Sequence, residues 1–334
     1  MLNKKKILCI FAVALIIILV FIFGEISGAF KSRDTVVAEV QSGNSISEIA
    51  DELKEKDIIG SKSLFKIYYR LFGDTYYMGV HEFSSKSYGA IVRELESFTK
   101  ARSVTVTITE GMEQREIAAL LEKKGLVTVN EFNEVANINN FDYWFFKNIK
   151  KRDMQLEGYL FPDTYEFSYE EGAKSIITKM LDNFENKFNP DMKKRAEQLG
   201  LTVDQLITMA SIIEREAAAK SELALVAGVF YNRLNDKNES AGFLQSCATV
   251  QYILKERKNV LSIADTKIKS DYNTYLNKGL PIGPIASPGL SCINAALYPE
   301  KTEYIYFAAD GNGKHYFAKT FNEHQKNMKK AGLL

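Results

Sequence analysis

Two glutamates, Glu214 and Glu216, lie two residues apart in the run ASIIEREA at 210–217. On a helix, residues three and four apart are neighbours, so the two carboxylates meet different surroundings. Glu216 has Lys220 four residues on, the favourable order for an ion pair, and reads as a surface acid. Glu214 is flanked by Ala210, Ser211, Ala217 and Ala218, small side chains that neutralise nothing and leave space around it. Desolvation in an apolar setting disfavours an ionised carboxyl. A carboxylic acid kept protonated near neutral pH is the general acid that cleavage of a glycosidic bond uses.

An ordinary glycosidase needs a second carboxylate across the bond. Glu216 is expected on another helix face, and Glu157 and Asp163 belong to a separate segment, so none of them fills that place convincingly. A single acid suffices for intramolecular transglycosylation. There the sugar's own 6-hydroxyl attacks the anomeric carbon, and the same glutamate, now deprotonated, takes its proton. On this reading Glu214→Gln abolishes cleavage and Glu216→Gln costs little.

Other chemistries leave no comparable trace. There is no GxSxG, phosphate-binding loop, dinucleotide fingerprint or HExxH. Ser63-x-x-Lys66 matches a penicillin-binding pattern, but four residues in a repeat region carry no weight. His81, His315 and His324 are scattered and no CxxC is present, so neither a metal site nor a cofactor is expected. Cys9 falls in the apolar N-terminus. Cys247 and Cys292 are open to pairing, although two small buried thiols is the simpler expectation. A formal net charge of +1 with no basic stripe argues against a nucleic-acid partner.

The elements that must position these residues follow from spacing. LTVDQLITMASIIEREAAA reads as a helix with Leu206, Met209, Ala210 and Ile213 inward, capped by Thr202 or Asp204. A second helix begins at Ser221 and packs through Leu223, Val226, Ala227, Phe230 and Leu234. Pro281, Pro284 and Pro288 are half the chain's prolines and fix a loop in one shape, as a binding groove needs. Residues 279–289 and LQSCAT are therefore expected to line a groove beside Glu214, with Gln245, Thr249, Tyr272, Asn273 and Tyr275 offering donors, acceptors and rings suited to sugars. YIYFAADGNGKHYFA reads as a hairpin turning at DGNG.

Upstream, LEGYLFPDTYEF suits an ordered loop, and 130–151 reads as an aromatic-rich helix, with core packing its simpler role and a sugar platform the other. Helices are expected over 61–72, 88–98 and 173–188, followed by a segment over 191–199. An internal repeat aligns VAEVQSGNSISEIADELKEKDIIGSKSLF with VTITEGMEQREIAALLEKKGLVTVNEF. Each copy reads as a strand, a glycine turn and an amphipathic helix, and resembles the LysM-like module of cell-wall proteins. MLNKKK precedes an uncharged run over 7–24 that comes close to the roughly 30 Å of a bilayer core. Lys4–Lys6 on the short side put the N-terminus in the cytoplasm and the remainder outside. A cleaved signal peptide ending near Ser27 and Ala29 is the alternative.

EGYLFPDTY, ASIIEREA, VFYNRL, LQSCATVQY, YNTYLNKGLPIGPIASPG and YFAADGNGKHYF, in this order, resemble the MltG/YceG-like family of endolytic murein transglycosylases over essentially the whole chain beyond the anchor. The resemblance implies peptidoglycan as substrate, cleavage of the MurNAc–GlcNAc bond within nascent strands, 1,6-anhydro-MurNAc ends, and cell-wall synthases as partners. It places the catalytic glutamate at Glu214 and adds Glu157, Tyr159, Asn232, Arg233 and Thr274 to the candidate sugar contacts. Cys247 stands where many relatives carry another small or acidic residue. The organisation expected is α+β: a cytoplasmic tail (1–6), a single transmembrane helix (7–24), a first LysM-like repeat with linker helices (35–102), a second LysM-like module (103–150) and a C-terminal α+β catalytic domain (151–334). The competing expectation is a non-catalytic peptidoglycan-binding scaffold of the synthesis machinery. An amidase or protease is weaker still, for want of a nucleophile or metal constellation.

Overall fold

The computed structural model describes residues 4–32, 34–41, 43–77, 79–97, 103–147, 149–217, 219–258, 260–310 and 313–333; the side chains of 4, 5 and 7–11 lie outside this set. The chain divides into two units, Met1–Ser103 and Val104–Leu334.

The first unit contains α1 (Lys4–Ser27), β1 (Val36–Val40), α2 (Ile46–Glu55), α3 (Lys62–Phe72), β2 (Gly79–Phe83) and α4 (Tyr88–Glu96). β1 and β2 pair antiparallel, with Val36 opposite Phe83. Ser45 and Glu48 form a capping box that starts α2, whose Ile49, Ala50 and Leu53 face the core. Phe65 and Tyr69 from α3 and Tyr88, Ile91 and Leu95 from α4 complete that core. α1 is different. Every side chain from Ala12 to Phe21 is exposed, although all are apolar. Among the described residues no helix is long and apolar enough to cross a membrane.

The second unit begins at β3 (Ser103–Thr107), followed by α5 (Gln114–Lys123), α6 (Val129–Val135) and β4 (Thr164–Ser168). β3 pairs with β4. Both repeat copies therefore have the order strand, helix, helix, strand. Two expectations change here. The end of LEGYLFPDTYEF is strand β4 rather than loop, because it has β3 to pair with. The stretch 130–151 is not one helix: α6 ends at Val135 and short 3₁₀ turns at Ile138–Asn140 and Trp144–Phe146 follow. Its aromatic residues go inward. Phe145 is buried and stacks on Tyr159 with centroids 5.5 Å apart.

Then come α7 (Gly172–Lys187), α8 (Pro190–Gln198), α9 (Val203–Glu216), α10 (Leu223–Asn235), α11 (Cys247–Leu254), α12 (Leu290–Leu297), the hairpin β5 (Tyr306–Ala309) and β6 (His315–Ala318), and α13 (Phe321–Lys330). Thr202 caps α9 in a reciprocal box with Gln205. α9 buries Leu206, Ile207, Met209, Ala210, Ile212 and Ile213, covering its whole circumference, so it is the central helix of this unit. α8, α10, α11 and α12 pack around it.

The proline segment closes over α9. Gly158 has φ +86°, and a Cβ there would stand 2.6 Å from Pro284 and 2.8 Å from Ile207, so only glycine admits this approach. Ser211 Oγ accepts from the Ile285 N–H at 3.0 Å. Residues 283–289 are buried. The segment was expected beside Glu214, and its end is there, since the Gly289 N–H donates to Glu214, but the prolines shape a buried layer against α9 and not an exposed groove wall.

Candidate active site

α9 ends at Glu216, where the chain turns outward at Ala217. The Glu216 carboxyl faces the start of α11. Its Oε1 accepts from the Ser246 hydroxyl at 2.5 Å and from the Ala248 N–H at 3.2 Å. Two donors on one oxygen, at a helix N-terminus, hold the group firmly. Among the described residues Oε2 has no hydrogen-bond partner, and the carboxyl lines a groove of about 600 Å³. Burial pushes the Glu216 proton affinity up; the Ser246 and Ala248 bonds and the charges of His315 and Arg215 oppose it without reversing it.

The expectation of a surface acid paired with Lys220 is therefore overturned. Lys220 lies 4.0 Å from Glu110 instead. The helix ends at residue 216, so the i, i+4 geometry that would join Glu216 to Lys220 does not exist. Glu214, expected to lack a partner, has one: its Oε2 accepts from the Gly289 N–H at 2.9 Å. It lies beside the Cys292 thiol and, with Thr109, Glu110, Arg257 and Glu216 itself, lines a second cleft of about 570 Å³, so the two glutamates share one cleft and Glu216 alone also reaches the first groove. Arg233 does not reach Glu214. Its Nη2 donates to Gln245 Oε1 at 2.5 Å and its Nε to the Phe243 carbonyl at 3.0 Å.

Of the expected sugar contacts, Arg233, Gln245 and Tyr275 meet on the Glu216 groove, with Tyr306 and Phe307. Gln245 takes a left-handed backbone, φ +49°, which turns the chain into α11. Thr249, Asn273 and Thr274 are buried and hold the wall from behind. Thr274 Oγ1 accepts from the Ser246 N–H at 3.0 Å and lies 2.9 Å from Thr249 Oγ1. Asn273 binds the Thr266 and Ile268 carbonyls. Asn232 ties α10 to the Thr302 and Tyr304 carbonyls. Tyr272 packs its ring on Tyr252, centroids 4.8 Å apart.

Glu157 and Tyr159 are fully buried. Glu157 accepts from the Gln114 N–H and the Tyr252 hydroxyl, and burial raises its pKa to about 8. Tyr159 donates to Asp204. Cys247 and Cys292 are both free, and Cys247 is exposed, its Sγ 3.1 Å from the Tyr275 hydroxyl. Sequence reasoning passed over Ser246, His315 and Tyr306. Ser246 stands in LQSCAT, a segment expected to line the groove, and was not singled out within it, while the hairpin residues reach the groove through folding alone.

A protonatable carboxyl at the end of a buried helix, open to a groove of rings, an amide and a guanidinium, defines an α+β protein of the acid–base enzyme class. The chain belongs to the YceG-like family, whose family model matches residues 38–330. It is 35% identical over 314 residues to the endolytic murein transglycosylase of Bacillus subtilis, spanning 90% of this chain and 85% of that protein. It is 37% identical over 180 residues to the protein of the same name from Streptococcus pneumoniae, spanning 52% of this chain and 32% of that one. A crystal structure of a YceG-like protein from Listeria monocytogenes aligns with a TM-score of 0.59 at 32% identity, over 88% of this chain and 99% of that one.

Proposed function

We propose that the chain is a lytic transglycosylase that cleaves peptidoglycan strands internally, with Glu216 as the acid. The observation that carries this reading is the asymmetry of the Glu216 carboxyl. Oε1 is fixed by Ser246 and Ala248, burial favours the proton, and Oε2 is left to the groove. Glu216 gives its proton to the glycosidic oxygen as the bond from the MurNAc anomeric carbon breaks. The MurNAc 6-hydroxyl then closes on that carbon, and its proton returns to the Glu216 carboxylate. The product is a 1,6-anhydro end and no water is consumed. Arg233, Gln245 and Tyr275 hold the sugars in the groove. Glu214, the acid favoured by helix spacing and by family resemblance, instead fixes the Gly289 backbone.

The test is digestion of purified glycan strands followed by mass spectrometry. Anhydro ends, one water lighter than hydrolysed ones, are expected; reducing ends, or binding without cleavage, would refute the reading.

The rest of the reading concerns placement. The run over 7–24 anchors the chain in the membrane with the bulk outside: Lys4–Lys6 precede it, it is uncharged over close to the thickness of a bilayer core, and part of it lies outside the described side chains. A C-terminal reporter active only in the cytoplasm would sink this part. The strand–helix–helix–strand order of both repeats supports LysM-like modules, and an enzyme acting on nascent strands works beside the synthases that make them.

A further inference from the structure

Glu216 is the one residue that the ring-lined groove and the second cleft share, so two cavities of similar size meet at the acid. Three segments build the second cleft. The turn between β3 and α5 gives Thr109 and Glu110, the end of α9 gives Arg215, and the chain after α11 gives Arg257. The turn belongs to the second repeat and is mounted on the segment that covers α9. The Gly111 N–H donates to the Ser287 carbonyl at 2.9 Å, and the Ser287 N–H donates to the Met112 carbonyl at 2.8 Å. From α9, Arg215 Nη1 donates to the Gly111 carbonyl at 3.2 Å. Gly111 has φ +80°, and a Cβ there would stand 3.7 Å from both Arg215 and Glu214. Gly43, its counterpart in the first repeat, has nothing within 4 Å of the same position among the described residues. Only the second copy of this turn is thus packed against the acid-bearing helix.

The two cavities differ in chemistry. Tyr275, Tyr306 and Phe307 give the first groove rings for the apolar faces of neutral sugars. No aromatic residue lines the second cleft, which carries charges of both signs instead. Arg257 is 57% exposed, and among the described residues it bonds through Nη2 alone, to both Glu116 oxygens at 3.1 Å. Its Nε and Nη1 stay open to a carboxylate. Glu110 is 43% exposed, with Lys220 4.0 Å away. A neutral sugar chain gains little from such groups. A short peptide bearing free carboxylates and an ammonium gains charge-assisted hydrogen bonds from them.

Peptidoglycan is branched where it is cut, because the MurNAc whose anomeric bond breaks carries a peptide stem on its lactyl group. A branched substrate needs a second cavity that leaves the sugar groove at the acid. We propose that the second cleft receives this stem, its carboxylates on Arg257 and its amine toward Glu110, while the sugars lie in the ring-lined groove. This rests on Glu216 being the acid of a transglycosylase. The second repeat then forms part of the active site through its Thr109–Met112 turn, whether or not it binds sugar as a module.

The experiment compares two substrates, uncrosslinked strands that keep their stems and the same strands stripped of stems by an amidase. Each is given to the unaltered chain, Arg257→Gln and Thr109→Trp, the last placing a bulky ring in the cleft from an exposed position. The kcat/KM for stem-bearing strands, taken relative to stripped ones, should fall about tenfold in Arg257→Gln, as loss of a charge-assisted hydrogen bond produces, and at least as far in Thr109→Trp. Calorimetry gives a readout without cleavage: a muramoyl pentapeptide should bind the unaltered chain about tenfold more tightly than MurNAc alone, and Arg257→Gln should remove the difference. A ratio unmoved in both variants would overturn the proposal. Equal losses on both substrates would overturn it too, and would put the strand itself in the cleft. If Thr109→Trp fails to fold, Arg257→Gln alone decides. Absence of anhydro ends from either substrate with the unaltered chain would defeat the transglycosylase reading, whereas anhydro ends with an unmoved ratio defeat only the stem cleft.

Discussion

Glu216→Gln should leave a folded protein whose kcat on glycan strands is lower by about 10²–10⁴-fold, the usual contribution of a positioned acid–base group. The amide oxygen of glutamine still accepts from Ser246 and Ala248, so the end of α9 keeps its place. What disappears is the proton. Glu214→Gln should cost far less, because its amide oxygen accepts from Gly289 as the carboxylate does. The pH dependence has a definite sign. Burial raises the Glu216 pKa, so the active, protonated form persists above the ordinary carboxylate range and the rate falls as pH rises through the raised value. Stability follows the same direction. A carboxyl whose folded pKa exceeds its unfolded one contributes stability that is complete below the unfolded value and is lost as pH rises through the folded one. At alkaline pH, Glu216→Gln should therefore melt no lower than the unaltered chain. Initial rates and thermal melts of the two variants across pH decide the matter. A collapse in Glu214→Gln with near-normal cleavage in Glu216→Gln would return the acid to Glu214.

The sequence made the carriers of the site legible and misplaced its centre. The Thr202 cap, the inward face of α9 and the hairpin strands all follow from local rules, because capping and periodicity depend on neighbours along the chain. The rank of Glu214 over Glu216 rested on an assumption of the same kind, that the helix continues to Lys220. It stops at Glu216 instead, and the last side chain of a helix looks forward to whatever the fold places there. Here that is the start of α11, some thirty residues on, which no spacing rule reaches. The prolines misled for a related reason. Their rigidity was read correctly, but rigidity serves a packed layer as well as an open groove, and only the close approach of Gly158 to Pro284 distinguishes the two. Thr249 and Thr274 stand in the same motifs as the groove residues Gln245 and Tyr275 and are buried behind them. Motif membership alone cannot separate a residue that touches a ligand from one that holds the wall.

Asp204→Ala should be the most destabilising single change near the site. Asp204 occupies the first turn of α9, and both its oxygens receive an Arg152 nitrogen at 2.8 Å, Oδ2 from Nη1 and Oδ1 from Nη2. Tyr159 adds a third donor to Oδ1 at 2.9 Å. Arg152 is buried, with 1% of its side chain exposed. Removing the carboxylate strands a desolvated guanidinium and a buried hydroxyl together, which costs about 3–5 kcal/mol for a buried pair broken on one side. At about 2–4 °C per kcal/mol for a unit of this size, the melting temperature should drop by roughly 10 °C. The pair's net worth is a different quantity. Arg152→Met added to Asp204→Ala removes the orphaned charge, so the double variant should recover much of the loss, a strongly non-additive cycle. Activity separates this from a role in chemistry: Asp204 stands roughly 18 Å along α9 from Glu216 at 1.5 Å per residue. Turnover measured well below the melting temperature should therefore remain near that of the unaltered chain. A loss under about 1 kcal/mol in Asp204→Ala would mean that water reaches Arg152 and that the start of α9 is held by its cap and its apolar faces alone.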